Sequence, residues 1–78
     1  GGPAEEQGMI ESRERIYEVL AGAGGKLILR CKANGIIPER QADGETRAKF
    51  IARCQSHCRR IGTTARPVRL VIEEEETE

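Results

Sequence analysis

Residues 26–37 read KLILRCKANGII, and this stretch predicts the β-hairpin around which the rest of the fold is arranged. Leu27, Leu29 and Cys31 occupy alternate positions, so they would share the buried face of a strand, because successive side chains of a strand point to opposite faces. Asn34-Gly35 follows directly and favours a type I′ turn, which needs positive φ at both central positions. The stretch therefore predicts a strand, a tight turn and a returning strand.

Three strands are predicted in all. The first covers 26–33, and the returning strand begins at Ile36-Ile37. Pro38 keeps the returning strand short and at an edge of the sheet, because proline cannot donate a hydrogen bond to the ladder. The last strand covers 68–74, with the sequence VRLVIEE. Three of its side chains at alternate positions would share one face: Val68, Leu70 and Ile72.

A first helix is predicted over 10–21. Its apolar residues Ile16, Val19 and Leu20 are spaced as on one face of an amphipathic helix. Gly22 would end the helix, since a helix end often adopts a left-handed conformation that glycine tolerates. The glycine-rich run around Gly22 indicates a helix stop and a turn, because a phosphate-binding glycine loop would follow a strand and open a helix.

A second helix is predicted over 44–61, with Asp43 as its N-cap and Gly62 as its end. An α-helix advances about 100° per residue, and this spacing separates the side chains into two opposed faces. The apolar face would carry Phe50, Ile51, Cys54, Cys58 and Ile61. The opposite, polar and cationic face would carry Lys49, Arg53, Ser56 and Arg60.

These elements follow one another in the order α-β-β-α-β. They predict a small two-layer α+β domain in which a three-stranded sheet carries two helices on one face. We expect this domain to cover 9–73, after a disordered lead over 1–8 and before a frayed acidic tail over 74–78. We expect Met9 to be the natural start, with the lead left over from an expression vector.

The composition limits the chain to one small domain. Its 78 residues include 13 Lys and Arg and 13 Asp and Glu, so its net charge is zero, which excludes a globally basic nucleic-acid binder. No apolar run approaches the roughly 20 residues of a membrane span. Three cysteines are an odd number for a disulfide framework, so we expect a cytoplasmic protein with free, mostly buried thiols. Because the chain has few large apolar residues with which to form a core, we also expect a homodimer.

The charges are strongly segregated along the chain. Residues 1–21 carry five glutamates against two arginines. Residues 47–69 carry seven lysines and arginines and no acid, whereas residues 70–78 carry five glutamates and no base. Such segregation is typical of an interaction surface, which the zero net charge conceals.

The basic segment predicts a binding surface for an anionic partner, either nucleic acid or an acidic protein. Guanidinium groups bind phosphate as paired donors, and a row of them matches a phosphate backbone. The candidate nucleic-acid-binding residues are Lys49, Arg53, Arg59, Arg60, Arg66 and Arg69. Two other interpretations stay open: an ordinary solvated helix face, and pairing of the helix with the chain's own glutamates at 73–76. Since aromatic residues are almost lacking, a duplex is favoured over a single strand.

Three soft ligands, Cys54, His57 and Cys58, form a second candidate cluster within five residues. Cys31 could approach them from the sheet, which would complete the four ligands that zinc usually takes. The Cys54–Cys58 spacing lies within a predicted helix rather than in a turn, so packing of the cysteines as small hydrophobic residues is favoured over a metal site. A reactive thiol whose pKa is lowered by a nearby arginine is a third interpretation.

No arrangement of residues predicts catalysis, since the chain has one histidine and no Ser-His-Asp pattern beyond chance. We therefore expect a non-catalytic protein without a cofactor, without membrane attachment, that binds nucleic acid through its second helix and the following loop. The alternative is a protein-interaction module that docks an acidic partner or adds a strand at the sheet edge after Asn34-Gly35.

Overall fold

The computed structural model describes residues 13–73. The strands are β1 (Arg15–Ala21), β2 (Leu27–Cys31), β3 (Glu39–Arg40) and β4 (Val68–Ile72), and the helix is α1 (Arg47–Ile61). A short 3₁₀ turn (Ala23–Gly25) joins β1 to β2. The predicted lead, 1–8, and the predicted acidic tail, 74–78, lie outside the described residues.

The strands form one mixed sheet in the order β3-β2-β1-β4. β2 pairs antiparallel with β1 and with β3, whereas β4 runs parallel to β1. α1 lies between β3 and β4 in the chain and packs on one sheet face, and this crossover lets β4 run parallel to β1. The α+β class is therefore confirmed. The predicted three-stranded sheet with two helices is wrong, because the described residues form four strands and one helix.

The first predicted helix is wrong where the structure describes it, since its second half is β1. Tyr17 and Val19 are buried and alternate with Glu18, whose carboxylate accepts two hydrogen bonds from Arg30, the residue directly opposite on β2. In a short apolar run, helical and strand spacing are hard to tell apart. Aromatic and β-branched residues, and two neighbouring strands to pair with, favour the strand here.

The predicted hairpin between β2 and β3 is confirmed in its order, but its turn is wider than a type I′ turn. The Cys31 N–H donates to the Ile36 carbonyl, and the Gly35 N–H donates to the Cys31 carbonyl, both at 2.8 Å. Gly35 has a φ of 78°, whereas φ of Asn34 is not positive. The Asn34 side chain instead accepts from the Ile36 N–H at 2.9 Å, which replaces the second left-handed position by an Asx turn.

Both edge strands follow the predicted pattern in part. β3 begins at Glu39 rather than at Ile36, but it is two residues long and lies at the sheet edge, directly after Pro38. β4 ends at Ile72, and its alternation is as predicted. The half-buried side chains that pack against the core are Val68, Leu70 and Ile72.

α1 confirms the second predicted helix, with a later start. Gly44 has a φ of 80°, which a helix cannot include, so α1 begins after it. Thr46 rather than Asp43 is the N-cap, and its hydroxyl accepts from the Lys49 N–H at 3.1 Å. Gly62 ends the helix as predicted, and its N–H closes the last turn.

One apolar cluster lies between α1 and the sheet. Its buried members are Tyr17, Val19, Leu29, Cys31, Phe50, Cys54 and Cys58. All three cysteines are free and buried, which confirms the predicted buried thiols. Within residues 13–73, no helix is long and apolar enough to cross a membrane.

Candidate nucleic-acid interface

The six predicted binding residues are all exposed, on α1 and on the segment that follows it. Lys49, Arg53 and Arg60 lie within about 60° of one another around the helix axis, because a helix advances about 100° per residue. Arg59 lies on α1 beside this row, Arg66 lies in the loop after the helix, and Arg69 lies in β4.

Arg53 is held by acceptors of its own chain. Its guanidinium forms a bidentate pair with Glu45, with Nε 2.9 Å from Oε2 and Nη2 2.8 Å from Oε1. It also donates to the Glu39 carboxylate, and at 2.9 Å to the Arg40 carbonyl. Its guanidinium carbon lies 5.2 Å from the centre of the Phe50 ring, within the range of a cation–π contact. The structure therefore gives Arg53 the role of fastening the segment 39–45 to α1.

The same contacts shift the ionisation of both partners. Hydrogen bonds from Arg53 and from the Ala42 N–H lower the pKa of Glu45 from 4.5 to about 2, and the Glu45 carboxylate raises the pKa of Arg53. Gln41 extends the network, since its amide donates to the Glu45 carbonyl at 2.7 Å and accepts from the Leu27 N–H at 2.8 Å. The Arg53–Glu45 pair joins the helix to the loop, and Gln41 joins the loop to β2.

Arg69 is also paired within the chain. Its Nε and Nη2 lie 3.2 and 3.1 Å from the two carboxylate oxygens of Glu14. The hydrogen bond from Arg69 lowers the pKa of Glu14, and the same bond raises the pKa of Arg69. This pair joins β4 to the residue that precedes β1.

Four of the predicted residues form no ion pair with another residue of 13–73: Lys49, Arg59, Arg60 and Arg66. Lys49 and Arg60 lie on the same side of α1, about 16 Å apart along its axis at 1.5 Å per residue. Arg59, one residue from Arg60, donates to the Ser56 hydroxyl at 3.2 Å. We call Lys49, Arg59 and Arg60 the cationic surface.

A groove of about 540 Å³ runs along this side of the molecule, between α1 and the segment 39–45. Its lining consists of Glu39, Glu45, Lys49, Ala52, Arg53, Ser56 and Arg60. Because Arg53 engages both carboxylates of the lining, Lys49 and Arg60 are the cations of the groove that remain for an anion.

Neither aromatic residue of the chain is placed to stack on a base. Tyr17 is 6% exposed and Phe50 is fully buried, and they are the two aromatic residues of the sequence. Proteins that read single strands stack bases on exposed aromatic side chains. The chemistry of this surface therefore suits the phosphate backbone rather than the bases.

The predicted Cys/His cluster is divided between the core and the helix rim. The cysteines pack in the core, whereas His57 lies edge-on to Tyr17, with ring centres 6.3 Å apart, and 3.6 Å from Glu39. Burial raises the pKa of Cys54 to about 12 and also raises that of Cys58, which opposes thiolate formation. Across residues 13–73, no three His, Cys, Asp or Glu side chains are grouped to hold a metal ion.

Sequence reasoning missed the internal partners of the two paired arginines. It considered the glutamates at 73–76 as a partner of the basic helix, whereas the described contacts are with Glu14, Glu39 and Glu45. For Glu45 there was a usable signal, an acid just before a helix that carries arginine on its exposed face. Glu39 lies fourteen residues from Arg53, so only the path of the loop reveals the contact.

Comparisons of the chain with protein-family models, with curated proteins and with solved structures find no match.

Proposed function

We propose that the chain is a non-catalytic nucleic-acid-binding protein whose cationic surface contacts the phosphate backbone of a duplex. The observation that carries the proposal is that three exposed cations on one helix form no ion pair within 13–73. Lysine and arginine bind phosphate through charge-assisted hydrogen bonds, and such contacts carry no base information by themselves. We therefore expect binding that depends strongly on salt and weakly on base sequence.

The dimensions of the cationic surface support this proposal. Lys49 and Arg60 are separated by about 16 Å along α1, and duplex DNA carries one negative charge per about 1.7 Å of its axis. Several phosphates therefore fall within reach of the two ends of the surface. Arg59 widens the surface at the end where it meets the loop after α1.

Arg53 supports binding indirectly, by holding the neighbouring acids. Glu39 and Glu45 lie beside Lys49 in the groove, where free carboxylates would repel a phosphate. Their pairing with Arg53 reduces this repulsion, so the positive charge of the cationic surface is less opposed.

The proposal predicts that the double variant Arg59→Ala/Arg60→Ala binds duplex DNA about tenfold more weakly than the wild type at low salt, because two phosphate contacts are lost. Fluorescence anisotropy of a short labelled duplex measures the affinity. The matched control is Lys32→Ala/Arg40→Ala, which removes two exposed cations on the β2–β3 side of the molecule. The control variant is expected to bind with nearly wild-type affinity.

If both double variants bound duplex DNA equally weakly, binding would depend on net charge alone. If neither variant bound more weakly than the wild type, the cationic surface would not be the binding site. If the wild type bound no nucleic acid at low salt, an acidic protein would become the favoured partner, docked on the same cations or at a sheet edge.

A further inference from the structure

A pocket distinct from the groove along α1 lies at the end of the sheet where β1 begins and β2 ends. It has a volume of about 480 Å³, within the roughly 300–1,000 Å³ of pockets that bind small molecules. Its lining comes from 14–16, from 31–34 and from Arg66 in the loop before β4. The pocket shares no residue with the cationic surface, so it is a separate feature of the molecule.

The pairing of the strands brings three cations of the lining together. The Arg15 N–H donates to the carbonyl of Pro67, which follows Arg66, and the Lys32 N–H donates to the carbonyl of Ile16, both at 2.9 Å. Neighbouring strands lie about 4.8 Å apart. The backbones at Arg15, Lys32 and Arg66 are therefore side by side at one end of the sheet.

The charge of these cations is not balanced within the pocket. Arg15, Lys32 and Arg66 form no ion pair with another residue of 13–73. Among the described residues, the one carboxylate of the lining is Glu14, and Arg69 engages both of its oxygens from outside the lining. Three positive charges therefore remain for a ligand.

Two polar side chains of the lining are held in place by hydrogen bonds within the chain. Nη2 of Arg15 donates to the Tyr17 hydroxyl at 3.2 Å, and the side-chain oxygen of Asn34 accepts from the Ile36 N–H at 2.9 Å. A guanidinium has five N–H donors and a primary amide has two. Both side chains thus keep donors for an anion without losing the contacts that orient them.

The rest of the lining is apolar and consists of Ile16, Cys31 and Ala33. Cys31 is 5% exposed and belongs to the core, so this part of the pocket is a continuation of the packed interior. An organic group that covered these side chains would remove apolar surface from water, which is favourable. The combination of cations with an apolar wall suits an organic anion better than a bare inorganic ion.

We propose that this pocket binds a small organic phosphomonoester, with its phosphate among Arg15, Lys32 and Arg66 and its organic part against Ile16 and Ala33. A phosphomonoester carries about −1.5 to −2 charges at pH 7 and three strong acceptor oxygens. It therefore matches three cations better than an anion with a single charge does. The phosphodiesters of a duplex lack this second charge, so the pocket is not expected to contribute to duplex binding.

Titration of phenyl phosphate into the ¹⁵N-labelled full chain at neutral pH tests the proposal. In ¹H–¹⁵N NMR spectra we expect saturable shifts of the amide signals of 14–16 and 31–34. Phenyl sulfate has the same shape but one charge, and it is expected to bind about tenfold more weakly. Inorganic phosphate distinguishes a bare phosphate ligand from an organic one, and it is also expected to bind more weakly, because it leaves the apolar wall uncovered.

Single substitutions in the pocket test which cations hold the phosphate. Lys32→Ala and Arg66→Ala are each expected to weaken the binding of phenyl phosphate about tenfold, since one charge-assisted contact is lost. The matched control is Arg40→Ala, which removes an exposed arginine without an ion pair in 13–73 from outside the pocket and is expected to change nothing. Arg15 is kept intact because its guanidinium also contacts the buried Tyr17.

The absence of saturable shifts with phenyl phosphate would overturn the proposal. Equal affinities for phenyl phosphate and phenyl sulfate would contradict the match of charge, and equal affinities for phenyl phosphate and inorganic phosphate would contradict an organic ligand. Pocket variants that bound as well as Arg40→Ala would show that phenyl phosphate binds elsewhere. The variant Arg59→Ala/Arg60→Ala is expected to bind phenyl phosphate normally, so failure of the pocket and failure of the cationic surface are separate results.

Discussion

Arg53 and Arg60 show how two similar residues of one helix face acquire different roles. They lie on the same side of α1, and from the sequence both are predicted ligands of an anion. In the structure Arg53 donates to Glu39, Glu45 and the Arg40 carbonyl, whereas Arg60 forms no ion pair within 13–73. The contact of Arg53 with Glu39 depends on the path of the loop 39–45, which no local pattern around either arginine encodes.

Substitution of these two arginines separates the roles. Arg53→Ala is expected to lower the melting temperature by a few degrees, because the contacts that hold 39–45 to α1 are lost, whereas Arg60→Ala is expected to leave it unchanged. The pKa of Glu45 is lowered from 4.5 to about 2 in the folded state, so the stability it contributes is present above about pH 4.5 and is lost as the pH falls towards 2. The difference in melting temperature between wild type and Arg53→Ala should therefore shrink over that range.

Thermal melts followed by circular dichroism between pH 2 and pH 7 provide the test. Equal melting temperatures of the wild type and Arg53→Ala at neutral pH would show that the Arg53 contacts do not stabilise the fold. A difference that persisted at pH 2 would show that Glu45 is not their main source.

At the scale of single elements, the helix could be predicted from the sequence and the first strand could not. Over α1, the apolar positions recur with a helical period for four turns, and Gly62 marks the end. β1 is shorter, and its Ile16, Val19 and Leu20 fit a helical spacing as well as they fit the strand. The contact that favours the strand, Glu18 with Arg30, joins residues twelve apart and becomes visible only when β1 and β2 are paired.

The buried face of α1 predicts the reactivity of the thiols. Cys54 is fully buried and Cys58 nearly so, and burial raises the pKa of both, so little thiolate is present at neutral pH. With Ellman's reagent at pH 8, we expect the cysteines to react slowly in the native protein and all three to react at once in denaturant. Rapid reaction of a native thiol would contradict the placement of these residues in the core, and it would reopen the interpretation of a reactive cysteine.

At the scale of the whole molecule, the sequence predicts the two layers but not their arrangement. The hairpin, the helix and the last strand were all expected, and so was the α+β class. The place of β4 beside β1, parallel to it and opposite β3, depends on long-range pairing that periodicity does not report. Among residues 13–73, that place makes β4 the longer of the two edge strands and puts it next to the C-terminal part of α1, beside Arg59.

The structure of the whole molecule also shows how the segregated charges along the chain are used. Some of the basic segment is used to hold the fold together, through Arg53 and Arg69. Lys49, Arg59 and Arg60 form no ion pair within 13–73 and are exposed along α1, with Lys49 and Arg60 beside the segment 39–45 and Arg59 beside β4. The candidate interface is therefore smaller than the six residues predicted from the sequence, and three phosphate contacts are expected instead of six.

The central claim, that the cationic surface binds a phosphate backbone, is tested most directly by titrating salt against the affinity for labelled duplex DNA and RNA. Because each phosphate contact contributes about −0.9 to the slope of log K against log salt, three contacts predict a slope of about −2 to −3. Lys49→Ala should make the slope less steep by about one. A slope near zero, or no binding of either duplex at low salt, would contradict the account.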